Sequence, residues 1–142
     1  MSVLLFVYGT LKKGFSRHSA LQDQRYLGTA RTQPKYAIYH HGGYPAMVDE
    51  HLASQSEVLA QNSIYGELYE AGDETLVALD KIEGVDYNLF KRRTIDLDEI
   101  SLLLLPISNA TWEMVESKTA HSYLFQKNLK GCADCGNYWA KR

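Results

Sequence analysis

The sequence predicts an α+β fold: a small, curled mixed β-sheet or barrel with one main helix and short helices. Three observations predict it. Short strand-like segments recur along the chain, whereas only one segment has the capping and periodicity of a substantial helix. No internal repeat, low-complexity stretch or linker divides them, so a single domain is expected over residues 1–142. At 142 residues and 45% hydrophobic content, such a domain can bury a real core.

The elements follow in order. Val3 to Tyr8 is almost continuously apolar and reads as a strand buried on both faces. It breaks at Gly9-Thr10-Leu11-Lys12-Lys13-Gly14, a loop bracketed by two glycines, after which Ser16 reads as the cap of a short helical stretch through Leu21. Tyr26 to Thr32 and Lys35 to Tyr39 read as strands. His40-His41-Gly42-Gly43-Tyr44-Pro45 is a turn cluster, followed by the apolar stub Ala46-Met47-Val48. Ile64 to Glu70 alternates and reads as a strand leading into the main helix. Phe90 to Leu97 is a further alternating strand, Ile100 to Leu105 a buried one, and Ser122 to Phe125 a short one. Ser108-Asn109-Ala110 reads as a turn.

The main helix carries the most informative residue. Asp73 reads as its N-cap, Glu74 adds charge to the first turn, and Gly84 supplies the left-handed stop. Leu76, Leu79 and Ile82 form one stripe, and at about 100° per residue Glu83 falls about 20° from Leu76 on that stripe. An acid on the core side of a helix C-terminus meets both desolvation and the negative end of the macrodipole. Both push its pKa upward, into the range useful for proton transfer near neutral pH. The bland alternative is an acid turned outward at a frayed end, or paired with an arginine.

Composition excludes more than it assigns. The net charge of -2, from 15 basic and 17 acidic residues, points to neither nucleic acid nor a membrane surface as partner. Ten tyrosines suit either the walls of a wet cavity or ordinary β-structure. The first strand lacks the basic flank and length of a signal peptide, no apolar run reaches membrane-spanning length, and two cysteines make no secreted framework. A cytoplasmic protein is expected.

Most motifs dissolve on inspection. The glycine spacing from Gly9 to Gly14 fits a Walker A loop, but Phe15-Ser16 follows where lysine and a hydroxyl residue belong. What remains is either a tight turn or a nest of backbone N–H groups able to hold a carboxylate or oxyanion. Cys132-Ala133-Asp134-Cys135 is a C-x-x-C pair, yet His18, His40, His41, His51 and His121 show no spacing that would complete a zinc site. The pair lies too late in the chain for a thioredoxin-like site, so ordinary packing cysteines are expected. Lys91-Arg92-Arg93, on an alternating strand, reads as a solvated face or as partners for nearby acids.

Two segments taken together resemble the γ-glutamylcyclotransferase-like family, which includes the γ-glutamylamine cyclotransferases and the plant avirulence-induced relatives. Val7-Tyr8-Gly9-Thr10-Leu11-Lys12-Lys13-Gly14 resembles the first signature, closing a first strand. Leu79-Asp80-Lys81-Ile82-Glu83-Gly84, followed by Phe90-Lys91-Arg92, resembles the second, in which the glutamate is catalytic. Tyr44-Pro45-Ala46-Met47-Val48 and Gly66-Glu67-Leu68-Tyr69 match in the same order; Ala120-His121-Ser122-Tyr123 and Gly136-Asn137-Tyr138-Trp139 match more weakly. Three features depart from the pattern. Phe90 stands where the family usually has tyrosine, the Cys132/Cys135 pair lies outside it, and residues 99–118 carry no alignable motif.

The resemblance implies an enzyme that releases 5-oxoproline from a γ-glutamyl amino acid or amine. The substrate's own α-amine attacks its γ-carbonyl, so no cofactor, no metal and no protein nucleophile are needed. Glu83 is implied as the general acid/base, and Tyr8, Gly9, Thr10 and Leu11 as the loop that binds substrate through backbone N–H groups, with glycine at position 9 allowing close approach. The partner implied is a small γ-glutamyl molecule; oligomeric state is left open. The competing reading is a catalytically inactive protein of the same fold that senses a γ-glutamyl or 5-oxoproline-like ligand. Related lyase chemistry on another aminoacyl amide, and thiol chemistry at Cys132 and Cys135, are more distant readings.

Overall fold

The computed structural model describes residues 2–103 and 106–140. Five strands close into a barrel: β1 (Ser2–Val7), β2 (Arg25–Thr32), β5 (Tyr65–Gly72), β6 (Phe90–Leu102) and β7 (Thr119–Phe125). Around it the order is β1-β5-β2-β6-β7, and a parallel contact of β1 with β7 at Leu5 and His121 completes the ring. A second sheet, in the order β4-β3-β8, is built from β3 (Tyr36–His41), β4 (Tyr44–Asp49) and β8 (Ala133–Asp134). The expected curled sheet or barrel is thus a closed barrel.

Burial of β1 on both faces follows from its place. Leu4 and Phe6 pack with Leu27, Leu68, Ile95 and Leu124, while Leu5 and Val7, pointing the other way, pack with Tyr39, Val48, Tyr69 and Phe125. One strand therefore feeds two cores, which is why it is apolar at nearly every position rather than at alternate ones.

Among the described residues, three α-helices decorate the sheets. α1 (Glu50–Gln55) starts from Asp49, whose carboxylate accepts from the Leu52 N–H at 2.9 Å. α2 (Asp73–Ile82) is the expected main helix, and α3 (Asn109–Ser117) packs Met114 and Val115 against the core that holds Leu4 and Phe6. No helix among the described residues is long and apolar enough to cross a membrane.

Several expectations need correction. The N-cap of α2 is Gly72; Asp73 is the first helical residue. The stretch assigned to Ser16–Leu21 is a single 3-10 turn, His18–Leu21, that begins after Arg17. β6 replaces two separate strands. Its first half pairs with β7 and its second with β2, and the acidic pair that reads as a break, Asp98 and Glu99, is held on the strand by Arg31 at 2.6 and 3.2 Å. Leu104 and Leu105, assigned to the second of those strands, lie outside the described residues. Ser108 is not in a turn but caps α3, its Oγ accepting from the Thr111 N–H at 3.3 Å.

Candidate active site

The cavity forms where β1 ends. Chain direction reverses at Gly9, whose carbonyl accepts from the Lys12 N–H at 3.1 Å, and the Thr10 carbonyl then accepts from the Arg17 N–H at 2.8 Å. The Thr10 and Leu11 N–H groups meet no acceptor among the described residues, so both remain free to bind an oxygen brought from outside. Lys12 fastens this loop from behind. Its side chain, only 1% exposed, donates to the Trp139 carbonyl at 2.5 Å and lies 3.6 Å from the centre of the Tyr138 ring. Burial pushes the Lys12 ammonium pKa down to about 8.

The structure adds a reason for glycine at position 9 that the sequence did not suggest. A Cβ there would stand 2.5 Å from Cγ of Pro45 on β4. A side chain there would strike the strand that packs against the loop, so Pro45 and the glycine are two halves of one contact.

Opposite the loop, α2 runs out. Leu76 and Leu79 are buried, and their anchoring brings Glu83 round to the core side as the C-cap, its N–H donating to the Leu79 carbonyl at 2.8 Å. Ile82, expected on the buried stripe, is 40% exposed and instead lines the cavity's edge. Gly84 follows with φ 66° and ψ 35°, the left-handed stop that turns the chain away from the helix axis. Glu83 is left 8% exposed. Desolvation pushes its carboxyl pKa up to about 7, against an opposing pull from the Arg17 guanidinium.

The cavity, about 570 Å³ including its open mouth, is lined by Tyr8, Gly9, Thr10, Leu11 and Glu83 together with Tyr44, Tyr123 and Arg17. All five sequence-assigned site residues therefore border one space. Three of the ten tyrosines are on its walls. The Tyr8 hydroxyl donates to the Tyr123 carbonyl at 2.8 Å and accepts from the Met47 N–H at 3.4 Å, and burial, then Glu83, holds its pKa well above the ordinary range. Phe90 also lines the cavity, so the missing hydroxyl is missing from the wall itself.

Sequence reasoning did not single out Tyr123 or its supports. The Tyr123 hydroxyl donates to Asp80 Oδ1 at 2.6 Å, and Arg92 grips both Asp80 oxygens, Nε to Oδ1 at 3.0 Å and Nη2 to Oδ2 at 3.4 Å. With its proton committed to Asp80, the Tyr123 hydroxyl oxygen can act only as an acceptor. Arg92 thus fulfils the expectation that the basic run pairs with an acid. The signal was present: Asp80 lies one helical turn before Glu83, on the same motif.

Such an arrangement can shuttle a proton at one buried carboxyl and hold an oxyanion at free amides. Among the described residues no group of three or more His, Cys, Asp or Glu side chains is placed to hold a metal ion. Cys132 and Cys135 are unbridged thiols that pack against different cores.

The family model described as gamma-glutamyl cyclotransferase, AIG2-like, matches residues 5–139. A provisionally named gamma-glutamylcyclotransferase of Vibrio cholerae is 40% identical over 96 residues, 68% of this chain and 74% of the relative. A gamma-L-glutamyl-butirosin B gamma-glutamyl cyclotransferase of Niallia circulans is 29% identical over 100 residues, 67% of this chain and 58% of the relative. Among crystal structures, an uncharacterised Pyrococcus horikoshii protein superposes with TM-score 0.63 at 19% identity, covering 93% of this chain and 85% of that one. A Mus musculus AIG2-like protein gives TM-score 0.62 at 17% identity, covering 89% and 77%. At these identities the structural matches speak for the fold alone.

Proposed function

This chain belongs to the gamma-glutamyl cyclotransferase, AIG2-like family, and from that premise we propose that it releases 5-oxoproline from a γ-glutamyl amino acid or amine with Glu83 as general acid/base. One observation carries the reading: a carboxyl with a pKa near 7 faces the same cavity as a loop with unpaired amides.

The chemistry balances without a further reactant. Ionised Glu83 takes a proton from the substrate's α-ammonium, and the freed lone pair attacks the γ-carbonyl carbon to form the ring C–N bond. The carbonyl oxygen becomes an oxyanion, which the Thr10 and Leu11 N–H groups stabilise. Protonated Glu83 then donates to the leaving nitrogen, and the old C–N bond breaks. Glu83, ionised again, takes the second proton from the ring nitrogen and passes it to the departing amine, which leaves as an ammonium ion, and no water is consumed. The protein's part is to fold the substrate into its reactive conformer within the cavity. Tyr123, a cavity-lining residue whose hydroxyl can only accept, suits an orienting role toward the substrate's N–H groups.

The test is 5-oxoproline release, followed by mass spectrometry over a panel of γ-glutamyl compounds, with Glu83→Gln beside the wild type. The amide keeps shape but carries no transferable proton, so turnover should fall by roughly 10²–10⁴-fold while the fold is retained. Turnover within a few-fold of wild type would remove Glu83 from the mechanism. No product from the wild type, with 5-oxoproline still raising the melting temperature, would favour the ligand-sensing alternative.

A further inference from the structure

One charged group bordering the cavity has no part in the chemistry above. Arg17 follows the loop, and its backbone is tied to Thr10 by the 2.8 Å bond. Its side chain is exposed at the cavity mouth, where Nη1 reaches the Ile82 carbonyl at 3.5 Å, beside Glu83 in the chain. That contact is long, and it engages one of five guanidinium N–H groups. No carboxylate among the described residues lies within ion-pairing distance of it, whereas Arg25, Arg31 and Arg92 each have an acidic partner. The field of Arg17 nevertheless reaches inward, acting on both Glu83 and Tyr44.

We propose, resting on the cyclotransferase reading of this same cavity, that Arg17 determines leaving-group specificity: its guanidinium binds a carboxylate carried by the departing amine, so γ-glutamyl amino acids are favoured over γ-glutamyl amines that lack an acid. The direction of the substrate supports this. The cyclising atoms must lie by buried Glu83, with the free amides of Thr10 and Leu11 to receive the glutamyl oxygens. The leaving group then extends toward the mouth, and an amino acid places its carboxylate a few bonds beyond the scissile nitrogen, where Arg17 offers a planar pair of donors. Among the described lining residues Arg17 is the one cation and Glu83 the one acid, so an entering carboxylate meets no competing ion pair.

The experiment compares γ-glutamylalanine with γ-glutamylethylamine, which differ only by that carboxylate. Wild type should show a kcat/KM ratio of about 10 or more in favour of the acid, expressed in KM and shrinking as salt is added. In Arg17→Gln the ratio should approach one, and Arg17→Lys should restore part of it. The ratio cancels any change in Glu83 that the loss of Arg17 causes, because both substrates share that chemistry. A wild-type ratio near one, or a ratio unchanged in Arg17→Gln, overturns the assignment. The second result would mean that Arg17 does not contact the leaving group's carboxylate. If neither compound yields 5-oxoproline, calorimetric titration of both into Glu83→Gln, with and without Arg17→Gln, separates the two ideas. Tighter binding of γ-glutamylalanine that depends on Arg17 keeps the assignment while the proposed reaction falls; equal binding, or none, ends it.

Discussion

Glu83 shows how environment changes the acid–base behaviour of an ordinary side chain. In water its carboxyl would be almost fully ionised at neutral pH, and a weak base. Burial raises the pKa to about 7, and the Arg17 guanidinium keeps it from rising further. On the proposed mechanism the base acts in its ionised form, so kcat/KM should fall about tenfold per pH unit below that value. A pH–rate profile checks this, and a flat profile from about pH 5.5 to 8 would contradict a base with this pKa. Removing Arg17 should move the acid limb upward, because the group that favours the ionised form is gone. At this scale the sequence was legible in identity but not in reason. Gly9 was legible as part of the loop, but that its lack of a side chain also answers to Pro45, 36 positions on, was not, because a contact across two elements leaves no local trace.

The decisive element is the end of α2. Its buried Leu76 and Leu79 set the rotation of the helix, and Gly84 in left-handed geometry stops it one residue after the acid. Gly84→Ala forces a Cβ into that conformation, 3.2 Å from Leu89 Cβ. Thermal or urea unfolding should show a loss of about 1–2 kcal/mol, with turnover reduced further as Glu83 loses its placement. Unchanged stability would mean that the turn relaxes. Elements governed by their own caps and periods, α2 and the strand before the loop, were readable from the chain. β6 was not, because its two halves pair with different neighbours and Arg31, on another strand, neutralises the acids at its bend. Nor was α3, whose cap is a single serine without the glutamate that would complete a capping box.

At the scale of the whole molecule, barrel closure brings Tyr8 to Tyr123 across 115 positions and sets both beside the end of α2. The cavity so made is supported at a cost in stability that depends on pH. In the unfolded chain Glu83 ionises near 4.5, in the folded protein at about 7. Between these values the folded state keeps a proton that the unfolded state has released, so stability falls as pH rises through the window and levels off above it, by up to about 3 kcal/mol. Glu83→Gln has no such titration. Relative to wild type it should gain stability from about pH 5 to 8 in denaturant titrations; a constant difference would mean that Glu83 is solvated. What the sequence determined by itself is what short-range chemistry encodes: the mixed α+β class, the helix and its stop, the glycine loop and the acid on an apolar stripe. The tertiary structure alone decided what those parts border: a closed barrel rather than an open curl, Pro45 against Gly9, Tyr123 held by Asp80 and Arg92, and an arginine at the mouth. The physical reason is that hydrogen-bonding periods and caps act within a few residues, whereas burial, and the pKa it sets, depends on residues far apart in the chain that meet only when the barrel closes.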